Sequence, residues 1–178
     1  MGRRSTREVY GSVARALHWT SAGLIVAMVV LGILMTRVDG GTVDELYQAH
    51  VGLGLLVTFL TVIRAVWRVR EESPSPPPMA TWRRRLYVGN HQLLYAGMGA
   101  LALTGMAILV SSGVGLNPAS VTAEEVSDSS LGDAHFVLAL LYTGLFAMHI
   151  IGAVSYQLGE GKVLYKMGLG AAPMETQA

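Results

Sequence analysis

The stretch DAHFVLALLYTGLFAMHIIGAV, residues 133–154, decides the fold. After Asp133 no charged side chain occurs until Glu160. About 20 such residues are enough to cross the hydrocarbon core of a bilayer as helix. Two imidazoles interrupt the run, His135 and His149, 14 residues apart. On an α-helix that separation is about 21 Å of rise, and 14 steps of about 100° return within about 40° of the same face. One face of one helix therefore presents two imidazoles at two depths.

Three more stretches have the same apolar character. One lies between Arg15 and Arg37, centred on LIVAMVVLGILM. One runs from about residue 47 to 67 with Arg64 near its end, and one from about 88 to 110. The expected fold class is an all-α integral membrane protein, a four-helix transmembrane bundle running up-down-up-down. It forms a single domain, 1–178, with spans at about 16–36, 47–67, 88–110 and 134–157 and a tail of 158–178. Each stretch is apolar on nearly every face, as helices in lipid or a tight bundle are. None alternates at period two, which argues against a membrane β-barrel. The first stretch is too long for the core of a cleaved signal and has no small-residue cleavage site after it. The Arg3-Arg4 pair does not make a twin-arginine export signal, because no soluble domain follows it.

Composition agrees. The chain has 178 residues, of which 14% are charged and 52% are hydrophobic. Soluble domains carry about 25% charge, and the mean hydropathy here is +0.45. A net charge of +1 excludes a solvated nucleic-acid binder. With no cysteine, disulfides, thiolate zinc, iron–sulfur clusters and cysteine-linked haem are all excluded.

Basic residues set the expected orientation. Arg3, Arg4, Arg7 and Arg15 lie in the N-terminal tail. Arg64, Arg68, Arg70, Arg83, Arg84 and Arg85 flank the link between spans two and three, and Lys162 and Lys166 follow span four. Arg37 alone faces Asp39, Asp44, Glu45, Glu124, Glu125, Asp128 and Asp133. Both termini are expected in the cytoplasm, in a bacterial inner membrane, with Trp19, Trp67 and Trp82 as interfacial anchors. The link contains SPSPPP, residues 73–78, which is an extended spacer rather than helix. The run 82–85 is expected on anionic headgroups. The loop 111–133 is expected to hold a short helix starting near Ser120 or Thr122.

All five histidines fall in the spans: His18, His50, His91, His135 and His149. Polar groups in hydrocarbon are costly and mark function. His50 and His135 share the outer level, while His18, His91 and His149 share the inner one, where depth alone does not choose a pair. Helix-borne imidazoles in a dry bundle suit haem b with two axial histidines. Zinc or copper would call for further carboxylates or thiolates, and no Asp or Glu lies within a span. Gly23, Gly32, Gly52, Gly54, Gly97, Gly99, Gly105 and Gly144 either admit a flat macrocycle or serve close helix packing. Met98 and Met148 read as core filler. Arg64 lies 14 residues after His50, either snorkelling to headgroups or pairing with a propionate of the inner haem.

The pieces ARALHWT (14–20), YQAHVGLGLL (47–56), VIRAVWR (62–68), NHQLLYAGMGALALTGM (90–106) and DAHFVLALLYTGLFAMHIIGA (133–153) occur in this order. Together they resemble the bacterial cytochrome b561 family. That family is related to the cytochrome b subunits of nickel–iron hydrogenases and formate dehydrogenases. The resemblance covers about residues 10–166. It implies two haem b groups, the inner held by His18 and His149 and the outer by His50 and His135, with the four histidines as axial iron ligands. It leaves His91 free: either His91 with Arg64 becomes the candidate quinone site, or His91 bonds an inner-haem propionate or a backbone carbonyl. It also implies electron transfer between membrane quinone, ubiquinone or menaquinone, and another redox partner. The chain would act alone as a quinone-linked oxidoreductase or carrier, or as the membrane subunit of a larger respiratory complex with a redox protein docked outside. The remaining alternative is a histidine-based metal transporter or sensor.

Overall fold

A computed structural model describes residue 2 and residues 4–127, 130–159 and 163–169. Arg3, Asp128, Glu160, Lys162 and the tail from 170 onwards, on which part of the charge reading rests, lie outside the described residues. The described residues form helices α1 (Ser12–Met35), α2 (Val43–Arg70), α3 (Thr81–Ser111), α4 (Ala123–Ser127), α5 (Ser130–Gly159) and α6 (Val163–Lys166), with a 3₁₀ turn at Pro118–Ser120. Four of them, α1, α2, α3 and α5, are long and apolar enough to cross a membrane.

Each long helix runs past its apolar span into the interface. The reason lies in the breakers. Prolines 74, 76, 77 and 78 have no N–H to give a helix, and residues 71–80 contain no helix. Neither 43–70 nor 81–111 contains a proline, so α2 continues to Arg70 and α3 starts as early as Thr81. The basic run 82–85 therefore lies at the start of α3. Its Arg83 guanidinium lies 5.7 Å from the centre of the Trp82 ring. At its other end α3 stops at Gly113, whose φ of 78° favours glycine.

α1 packs mainly on α2 and α3 mainly on α5, with α2 against α3 closing the bundle. Its waist is a cluster of one residue from each long helix: Ile25, Val57, Met98 and Tyr142. Gly97 lets the Tyr142 ring approach: a Cβ there would lie 3.0 Å from Cδ2. The exterior is apolar, with Val30, Ile33, Phe59, Val62, Leu103, Leu141 and Ile151 exposed. Two of the buried residues, Ser21 and Asn90, are polar. This inverted distribution suits a lipid solvent.

Both ends are covered. At the acidic end the loop after α3 folds back over α2. Val121, fully buried, packs with Leu109 and Val126 against Tyr47 and Val51. Gln48 Nε2 donates to the Val121 carbonyl at 3.2 Å. The short helix expected near Thr122 is α4. Glu125 accepts from the Thr122 N–H and hydroxyl, one half of a capping box. Asp44 of α2 accepts from the Ala123 N–H at 2.7 Å, tying α4 to the membrane helix. At the basic end, Ser75 N–H donates to the Arg7 carbonyl, Tyr10 N–H to the Lys166 carbonyl, and Lys166 Nζ to the Ser75 carbonyl. N-terminal segment, proline link and α6 thus form one strap.

Asp44→Ala removes the hydrogen bond that ties α2 to the start of α4, a cap of about 1 kcal/mol. The loop 112–127 is expected to become several-fold more susceptible to protease added from the acidic side, with the four long helices still protected.

Candidate functional site

The histidines converge in two groups at opposite ends of the waist. At the acidic end, His50 near the start of α2 meets His135 near the start of α5. Their ring centres are 6.3 Å apart, with planes at 79°. Bare backbone flanks both rings. A Cβ on Gly105 would lie 3.4 Å from His135 Cε1, and one on Gly32 would lie 4.0 Å from His50 Cε1. Thr104 Oγ1 lies 2.8 Å from His135 Nδ1. His50 Nδ1 is buried and has no hydrogen-bond partner.

At the basic end, His18 of α1 meets His149 of α5 with ring centres 6.2 Å apart and planes at 61°. His91 of α3 joins them, 4.9 Å from His149 at 84°. The three line a cavity of about 320 Å³ that opens towards the strap and is shared by Arg64, Arg68 and Tyr95. Ser21 Oγ, on a smaller pocket among the same histidines, is buried with no hydrogen-bond partner. So is Oδ1 of Asn90, whose Nδ2 donates to the Leu145 carbonyl.

The partners fix where protons sit. An arginine only donates. Arg64 is 2.8 Å from His18 Nδ1, so a neutral His18 carries its proton on Nε2. A backbone carbonyl only accepts. His91 Nδ1 lies 2.7 Å from the Tyr87 carbonyl, so it is protonated there and Nε2 holds the lone pair. Arg64 does not reach out to headgroups. Its guanidinium turns inward, half-buried, onto His18 and 5.6 Å from the centre of the Tyr95 ring. On the cavity rim, burial pushes the Glu71 carboxyl up, but bonds from the Ser5 N–H and hydroxyl, together with Trp67 and the Arg4 charge, hold the group below its ordinary 4.5.

Sequence reasoning placed all five histidines and Arg64 at these two levels. It did not single out Thr104, Asn90, Ser21 or Tyr95. Thr104 had a signal, being the one hydroxyl in the apolar run 96–110. The glycines divide. Gly32 and Gly105 adjoin the acidic-end rings and Gly97 adjoins Tyr142, whereas Gly23, Gly99 and Gly144 have no atom within 4 Å that their Cβ would meet. Met98 is core, as expected. Met148 is not: it is 45% exposed and lines the same open cavity as His149.

The residues fit a haem. Two imidazoles on opposite sides of one metal, each bonded at about 2 Å, have ring centres about 6 Å apart. Both His18–His149 and His50–His135 have that spacing, while His91 and His149, at 4.9 Å, are too close to bind one iron from opposite sides. Among the described residues no three His, Cys, Asp or Glu side chains form a metal cage.

These features define an integral membrane helix bundle that carries imidazole pairs inside it. The family model for prokaryotic cytochrome b561 matches residues 9–170, and the chain belongs to that family. It is a membrane haem b electron-transfer protein. It is also 28% identical over 180 residues to cytochrome b561 homolog 2 of Escherichia coli (strain K12), with 96% of each chain covered.

Proposed function

We propose that the chain is a di-haem b protein that exchanges electrons with membrane quinone, using His18 and His149 at the basic end and His50 and His135 at the acidic end. One observation carries this reading: two imidazole pairs, each with the ring spacing of a shared iron, on opposite sides of the waist. Haem iron with two histidine ligands is six-coordinate, so it supplies one-electron exchange rather than oxygen chemistry.

The protein's own groups prepare these sites. Arg64 and a neutral His18 bound through Nε2 compete for the same ring state, because coordination needs the lone pair that the Arg64 bond places on Nδ1. If His18 held a haem through Nε2, its Nδ1 would carry the proton and could not accept from Arg64, whose guanidinium would then be available to an anionic group in the same cavity. His91 stays outside axial ligation. Its Nε2 lone pair, in the cavity beside His149, is an acceptor for a quinol hydroxyl. Oxidation of a quinol releases two electrons and two protons, and Nε2 holds one of those protons during transfer. The basic end faces the cytoplasm by the charge rule, in a bacterial inner membrane.

Haem content of purified variants tests the pairing. His50→Ala and His135→Ala are expected to lose one and the same haem, and His18→Ala and His149→Ala the other. Loss of the same haem from His50→Ala and His18→Ala would overturn it.

His91→Ala is expected to keep both haems while their reduction by a soluble quinol analogue slows about 10²-fold or more, the usual worth of a positioned acid–base group. Stopped-flow visible absorbance reads the rate.

A reporter fused to the C-terminus is expected to be active only in its cytoplasmic form, and one inserted at residue 116 only in its external form.

A further inference from the structure

Thr104 belongs to no ligand pair, yet its hydroxyl lies against a site histidine in the middle of an apolar helix. Three groups surround Oγ1: the Ala100 carbonyl at 2.9 Å, the Leu101 carbonyl at 3.1 Å and His135 Nδ1 at 2.8 Å. The hydroxyl has one proton to give. If it went to His135, Oγ1 would lie against two carbonyl oxygens with no hydrogen between them. That arrangement is repulsive in a low-dielectric interior. Given to the helix carbonyls instead, the proton leaves an oxygen lone pair facing Nδ1, and His135 is then the donor. Nε2 is left as the free lone pair.

We propose that Thr104 is the positioning residue of the acidic-end site: it accepts the Nδ1 proton of His135 and so fixes Nε2 as the nitrogen that binds iron. This rests on the di-haem reading above. Gly105 completes the seat. The next residue on α3 has no side chain, so the His135 ring lies against backbone while the hydroxyl reaches its edge. The partner ring has no such support, since His50 Nδ1 is buried without a hydrogen-bond partner. The orientation of the site therefore depends on one histidine and on the one hydroxyl that holds it. At the basic end the polarity is opposite, because the group on His18 Nδ1 is an obligatory donor. An acceptor on Nδ1 makes the imidazole a stronger donor to iron and favours iron(III).

The test uses the full-length, haem-loaded protein in detergent and four chains: wild type, Thr104→Val, Thr104→Ser and His135→Ala. Val keeps the shape and loses the hydroxyl, while Ser keeps the hydroxyl. Redox titration by visible absorbance is expected to show one of two components in Thr104→Val raised by about tenfold in its equilibrium constant, about 59 mV for one electron. Loss of that haem through a 10–100-fold weaker hold is the stronger form of the same result. The other component stays in place, and Thr104→Ser follows wild type. Ring ¹⁵N NMR of the reduced protein is expected to show a proton on His135 Nδ1 in wild type. Unchanged potentials and haem content in Thr104→Val, an equal shift in Thr104→Ser, or no proton on His135 Nδ1 would overturn the assignment. If His135→Ala instead retains the wild-type haem content, the ligand pairing has failed, and the NMR result still decides the role of Thr104.

Discussion

An imidazole buried in a membrane helix has two ring nitrogens and no water to satisfy either. The rest of the structure depends on how that need is met. Three of the five rings have Nδ1 committed to a named group: His135 to Thr104, His91 to the Tyr87 carbonyl and His18 to Arg64. Desolvation makes an unpaired imidazole costly in a span, and at these three rings a protein group meets one of the two nitrogens; His50 Nδ1, buried without a hydrogen-bond partner, is the contrast. The helices are arranged to make those bonds, which explains why polar residues lie in the middle of a bundle whose exterior is apolar.

The waist keeps the two groups apart. Ile25, Val57, Met98 and Tyr142 come one from each long helix and close the interior between the histidine levels. The packing is local and tight, as Gly97 against Tyr142 shows. The ends are covered by different means. The acidic end has an apolar plug, Val121 with Leu109 and Val126, tied by Gln48 and Asp44. The basic end has a polar strap, and the cavity beneath it remains open at about 320 Å³. The aliphatic plug packs on Tyr47 and Val51, which flank His50 in the sequence. Beneath the hydrogen-bonded strap, the cavity lies at the level of His18, His91 and His149.

Much of this was legible in the sequence because it depends on helix period alone. Four charge-poor runs give four spans. Fourteen residues between His135 and His149 give two levels on one face, and the proline cluster gives the break between α2 and α3. What was not legible depends on rotamers and on which helix faces which. Glycines 32 and 105 look like glycines 23, 99 and 144 in the sequence, and only the packing separates those beside a ring from those without a neighbour. The inward turn of Arg64 could not be told from snorkelling, since both begin at the same depth. Met148 was misread because composition alone does not say which way a residue adjacent to a site histidine points. The loop 111–133 is rich in Ser, Gly and acidic residues, and nothing in that composition marks Val121 as the residue that becomes fully buried.

The two ends are not equivalent copies of one site. At the basic end a cation donates to a histidine nitrogen, with a second arginine, Arg68, 5.9 Å from the centre of the Tyr95 ring. At the acidic end the group on the histidine is a neutral hydroxyl, and the charges nearest in sequence are Asp44, Glu45 and Asp133. Coulomb interactions in a low-dielectric bundle are strong enough for this difference to matter. Positive charge near a redox centre favours its reduced, less positive state, and negative charge favours the oxidised one. At the basic end the charge asymmetry of the sequence reaches a histidine directly, through Arg64 and His18, whereas the group on His135 at the acidic end is neutral.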